Sequence, residues 1–157
     1  MLSLSALAPT LTYFRNKEKK FFEYELTKVS IDTIKMFRPT SKELSDRLKK
    51  AEKAVFDGRV SIIDPETVAE HAIELEYDIE LDLHEVLKEL LSQISRDEYA
   101  GTRPPQKSYK EEIKGLEIFP FVLDSPRFAC RVYLKFALQQ ETFWLISLHK
   151  DRPPREE

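Results

Sequence analysis

Glycine is scarce in this chain and cysteine almost missing. Three glycines in 157 residues leave no glycine-rich phosphate loop and no flexible Gly/Ser linker. The single cysteine, Cys130, excludes an internal disulfide and a cysteine-based zinc site. Such usage fits a reducing, cytoplasmic setting. No apolar run approaches the length of a membrane span, so no membrane partner is expected. Residues 1–8 are mildly apolar and end in Ala6-Leu7-Ala8, yet they lack a basic start and are short for a signal peptide, so no cleaved leader is expected. A global excess of positive charge is missing too. Lys and Arg number 25 against 28 Asp and Glu, a formal net charge of −3, so nothing global marks a nucleic-acid binder. The charge is uneven, however. Residues 99–157 hold ten basic and eight acidic side chains, and the rest of the chain holds 15 and 20.

What is present is an ordinary globular composition, 41% hydrophobic and 34% charged, in a chain long enough for one domain with a core. Residues 1–38 read as an N-terminal extension, with a strand or short helix over residues 21–31. Residues 39–151 read as one α+β domain, helices first and an antiparallel sheet last, and residues 152–157 as a polar tail. Thr40 and Glu43 have capping-box spacing before a stripe of Leu44, Leu48, Ala51 and Val55, and Gly58 marks that helix's end. Residues 59–63 are β-branched and read as an extended segment. Asp64-Pro65 then fits an N-cap followed by proline in the first turn, with Val68, Ala69, Ala72 and Ile73 as the apolar face of a second helix. Asp82 and Glu85 repeat the capping spacing ahead of the broadest stripe, Leu83, Val86, Leu87, Leu90, Leu91 and Ile94. The carboxylates at 74, 76, 78, 80 and 82 alternate like a strand edge. Arg103-Pro104-Pro105 lies in an exposed loop. Strands are expected near residues 117–122, 129–138 and 142–149.

Candidate chemistry gathers in the last two strands. Arg131, Tyr133 and Lys135 share one strand face, because side chains alternate with a period of two. A hairpin turn centred near Gln140 would set His149 opposite Arg131, Ser147 opposite Tyr133 and Leu145 opposite Lys135; a slip of one residue would bring Lys150 to that face instead. Two cations, a phenol and a histidine are the groups that metal-free RNA cleavage needs. Arginine and lysine hold the phosphorane, and histidine takes or gives a proton near neutrality. A tyrosine donates a proton or stacks on a base. The plain alternative is a solvated sheet face. His71 and His84 fall inside helical segments and carry a weaker signal. His84 with Glu85 and Glu89 lacks recurring ligand spacing, and Trp144 reads as core.

The ordered features of residues 48–150 resemble the motility quorum-sensing regulator (MqsR) family of toxin ribonucleases, within the wider RelE-like fold. The family's first helix ends in a glycine turn, and Ala54-Val55-Phe56-Asp57-Gly58-Arg59-Val60 is similar. Its acidic-aromatic step resembles Ser95-Arg96-Asp97-Glu98-Tyr99. Its closing strands, of the form Val-Tyr-Leu-Lys and Ser-Phe-Lys, resemble Val132-Tyr133-Leu134-Lys135 and Ser147-Leu148-His149-Lys150. The resemblance implies a RelE-like fold and a cytoplasmic mRNA interferase of a type II toxin–antitoxin pair. Such an enzyme works without metal or other cofactor, its partners being mRNA and a protein antitoxin. It implies Tyr133 and His149, with Lys150 adjacent, as catalytic candidates. Arg131, Lys135, Tyr99, Arg103 and Lys107 are then the RNA-binding candidates. His149 stands where the family has a lysine, although wider RelE-like toxins use a histidine near that end. Ala100 stands where the family has a lysine, with Arg103 or Lys107 to replace its charge, and Glu117 where it has a glutamine. These departures keep a second reading open: a non-catalytic protein-interaction or RNA-binding protein on the same fold.

Overall fold

A computed structural model describes residues 38–153. The expected N-terminal extension up to residue 37, the element expected over residues 21–31, and the tail from residue 154 lie outside the described residues.

Helix α1 runs Ser41–Phe56. Its start is set by a reciprocal pair of bonds: the Thr40 hydroxyl accepts from the Glu43 backbone N–H at 3.1 Å, and the Glu43 carboxylate accepts from the Thr40 N–H at 3.2 Å. Leu44, Leu48, Ala51, Ala54 and Val55 are buried along one stripe. Gly58, at φ +73°, releases the chain into strand β1, Val60–Ile62. Helix α2 spans Pro65–Leu75. Asp64 caps it, accepting from the Thr67 N–H at 3.3 Å and the Thr67 hydroxyl at 2.7 Å, and those bonds hold its carboxyl below the usual range. Val68, Ala72 and Leu75 are its buried residues. Ile73, expected on that face, is 78% exposed, because three buried positions four and three residues apart define a narrow stripe and Ile73 sits a hundred degrees of turn beyond Ala72.

Residues 74–82 form no strand edge. The helix closes at Glu76 in a left-handed conformation, and a turn follows in which the Asp78 carboxylate accepts from the N–H groups of Glu80 and Leu81 at 2.9 and 3.0 Å. Helix α3, Leu83–Gln93, buries Leu83, Val86, Leu87, Leu90 and Leu91, as its stripe demands. Asp82 does not cap it: its backbone is already helical, and its carboxylate turns back to accept from the Asp78 N–H at 3.0 Å. Two short 3-10 turns, Arg96–Glu98 and Glu111–Ile113, flank the loop that carries Arg103.

Three strands then form a meander: β2 (Phe119–Ser125), β3 (Cys130–Gln139) and β4 (Thr142–Lys150). The fold class is α+β, with the helices ahead of most of the sheet. The sheet itself is mixed rather than antiparallel throughout. Its order is β1-β4-β3-β2, and β1 lies parallel to β4, Val60 beside Phe143. Helix α1 packs on α3 and on strands β3 and β4; α2 packs along β4. Between helices and sheet lies one core, centred on Phe121, Phe136 and Phe143, which stack in a row across three strands at centroid spacings of 5.8 and 4.9 Å. Trp144 stands outside that row, only partly buried. Among the described residues, no helix is long and apolar enough to cross a membrane.

Candidate active site

The face of β3 away from the core carries Arg131, Tyr133 and Lys135, as alternation requires; Val132, Leu134 and Phe136 fill the core side. The register of the hairpin differs from a uniform ladder. The turn is the two residues Gln140 and Glu141, and β3 and β4 pair as Gln139–Thr142 through Phe136–Leu145. An irregularity between Lys135 and Phe136 then adds one residue to β4, so Lys135 pairs with Ser147 and Tyr133 with His149. The expected pairs 131–149, 133–147 and 135–145 are therefore replaced. Leu145 points into the core, and His149 sits across from Tyr133 rather than Arg131. Lys150 pairs with the core-facing Val132 and lies exposed on the other side of the strand from His149.

This shift builds a stack. The rings of Tyr133 and His149 lie nearly parallel, 17° apart, with centroids 5.0 Å apart. His149 Nδ1 is 2.6 Å from the Lys150 carbonyl oxygen. A carbonyl only accepts, so Nδ1 carries the hydrogen and Nε2 is left as the open lone pair when the ring is neutral. Half-burial, and then the nearby Asp151 carboxylate, pushes the Tyr133 phenol above its ordinary value, so it stays protonated at neutral pH and is a donor. Lys135 is half-buried as well. That burial, with Lys110 second, lowers its ammonium from the ordinary value. Tyr133 and Lys135 form one wall of a pocket of about 140 Å³, whose other walls include Gly101, Thr102, Gln106, Ile118 and Pro120. Gly101 is required there by space: a Cβ would come within 2.4 Å of the Tyr99 hydroxyl.

The remaining candidates are spread around this centre. Arg131 is exposed, with Nε 3.8 Å from the Asp124 carboxylate across the β2–β3 pair. Tyr99 is tied into its loop, its hydroxyl donating to the Thr102 carbonyl at 2.7 Å. Arg103 lies over the Tyr99 ring at 5.6 Å and donates to the Pro39 carbonyl at 2.8 Å. Lys107 is exposed and bridges to Glu117 through the backbone. Neither Tyr99, Arg103 nor Lys107 lines the pocket. Glu85 pairs with Lys88 and Glu89 with Arg127, and among the described residues His84 belongs to no cluster of His, Cys, Asp or Glu side chains that could hold a metal.

One residue joins the site from a distant part of the chain. His71, on α2, brings its ring to 4.9 Å from that of His149, tilted by 58°. Sequence alone places it only on a helix. Its helical spacing, three residues after Val68 and four before Leu75, is the sign that it borders the buried stripe. No family model matches the sequence, and no curated protein is similar to it at a significant level.

Proposed function

We propose that the protein is a ribonuclease toxin of a type II toxin–antitoxin pair, a metal-independent mRNA interferase of MqsR-like, RelE-related design. The observation that supports this reading best is the Tyr133–His149 stack beside Lys135 and its pocket. His149 Nε2 takes the proton of a ribose 2′-hydroxyl as the oxygen attacks phosphorus. Lys135, with Arg131 further along the strand, neutralises the charge that builds on the phosphorane. The bond from phosphorus to the 5′-oxygen breaks, and the Tyr133 hydroxyl protonates the leaving oxygen. A 2′,3′-cyclic phosphate results, and solvent returns the proton balance of Tyr133 and His149. The partners in this reading are mRNA and a protein antitoxin, in the cytoplasm. Lys150 is set aside from proton transfer by its side of the strand.

RNA incubated with the protein in EDTA, with cyclic-phosphate ends as the readout, tests the proposal. Cleavage that persists at the wild-type rate in the combined Tyr133→Phe and His149→Ala variant removes these residues from the mechanism. A second reading, a non-catalytic interaction protein, is favoured by Ala100 and by two large apolar side chains, Ile73 and Leu81, left exposed beside the acidic residues 74–82. It requires a stable protein complex and no RNA cleavage at any enzyme concentration.

A further inference from the structure

The mechanism above uses one imidazole, yet the fold brings two together. The His149 ring is held on one side by the parallel face of Tyr133 and on another by the tilted ring of His71. Building on the ribonuclease reading, we propose that His71 is a positioning residue: it seats His149 over Tyr133 and remains a neutral imidazole with its hydrogen on Nε2.

Nδ1 of His71 is buried and has no hydrogen-bond partner among the described residues. A bare lone pair there is the mildest form of an unmet bond. An N–H at the same place is a donor aimed at nothing, and an imidazolium adds an unpaired charge to it. The tautomer with its proton on Nε2 is the one that avoids both. The neighbouring charges agree. Burial is the largest influence, and it lowers His71 from the ordinary histidine value; His149 and then Arg152 push the same way. Glu74 and Glu70, on its own helix, oppose them. Glu74 is itself bound to Arg152 at 2.8 Å, so much of its field is spent there. Asp64, at the start of α2, also feels His71 but is engaged with Thr67. On the His149 side stand Tyr133, from β3, and Asp151, just past β4. Two imidazolium rings this close repel strongly, so the pair takes one proton before a second. A neutral His71 thus keeps a second positive charge away from the His149 ring, 4.9 Å from its own.

Imidazole nitrogen NMR on the full, uniformly labelled protein decides the tautomer without any RNA. The expected result is a neutral His71 fixed as the Nε2–H form, with its protonation falling below the ordinary histidine value. A protonation midpoint for His71 at or above the ordinary histidine value, or an Nδ1–H signature, overturns the proposal. Kinetics supply the second measurement. His71→Leu is expected to cut kcat about tenfold with little change in KM, and to move the acid limb of the pH profile. His71→Gln, which keeps an N–H donor near the Nε2 position, is expected to restore most of kcat. A His71→Leu enzyme with wild-type kcat and pH profile defeats the positioning role while leaving the ribonuclease reading intact. Absence of RNA cleavage by the wild type defeats that reading, and the NMR result still judges His71.

Discussion

Replacing Phe136 with alanine tests the central row of the core and, through it, the geometry of the site. The ring is fully buried and lies between Phe121, nearly parallel at 5.8 Å, and Phe143 at 4.9 Å; Phe119 stands 6.1 Å away. Truncation removes the transfer free energy of the ring, leaves a cavity, and breaks the aromatic contacts on both sides. Buried Phe→Ala changes cost about 3–5 kcal/mol, and the two-sided stacking places this one near the top of that range. At roughly 4 °C per kcal/mol for a domain of this size, the melting temperature falls by about 16–20 °C. Phe136→Leu keeps most of the volume and costs about 1–1.5 kcal/mol. Urea unfolding followed by circular dichroism measures both, with an unchanged m-value as the sign that the same surface is exposed. The irregularity that aligns Tyr133 with His149 falls directly before Phe136. The Leu variant should therefore leave the Tyr133 and His149 resonances in place, and the Ala variant should shift them. A loss under about 1.5 kcal/mol for Phe136→Ala, with m unchanged, refutes the stacked row as the core of the fold.

Three further outcomes follow from single residues. The Tyr77 hydroxyl is buried without a partner among the described residues, and burial lifts its phenol to about 12; the unfolded chain ionises first as pH rises through 10, so stability falls between about pH 10 and 12, and in Tyr77→Phe that fall shrinks while neutral-pH stability stays equal or rises, as alkaline urea titrations would show. Glu76 closes α2 at φ +60°, a conformation glycine adopts without strain, so Glu76→Gly is expected to raise stability by about 0.5–1 kcal/mol in thermal unfolding. Gly101→Ala drives a methyl against the Tyr99 hydroxyl and Pro120 and should cost about 1–3 kcal/mol in urea unfolding; if the proposed ribonuclease function holds, it also weakens RNA binding in fluorescence anisotropy.

The parts of this fold that sequence reveals are those governed by near neighbours. The Thr40–Glu43 box and the Asp64-Pro65 start are local chemistry, and both appear as read. The shared face of Arg131, Tyr133 and Lys135 follows from a two-residue period that nothing interrupts between them. Where a longer-range contact decides, the reading fails. Asp82 has the spacing of a cap but spends its carboxylate on the preceding turn. The added residue in β4 has no composition of its own, so the partner of Tyr133 is visible only when the strands are paired. A three-residue strand such as β1 is too short for any periodic signal, and its parallel place beside β4 turned an expected antiparallel sheet into a mixed one. His71 shows the same limit most plainly, because only the packing of α2 along β4 brings it to His149.

That parallel pairing of β1 with β4 also orders events in time. Val60 must wait for Phe143, roughly 80 residues later, which at about 5–20 residues per second is on the order of 4–16 s of translation. During that interval α2 and α3 are made behind α1, while the last strand of the sheet that covers the helices is still missing. The nascent chain then exposes apolar helix faces and lacks the Tyr133–His149 stack together. His149 is among the last residues of the final strand to leave the ribosome, so no partly made chain can hold the Tyr133–His149 stack. A chain with this order of assembly can form the Tyr133–His149 stack only once its synthesis has passed the final strand.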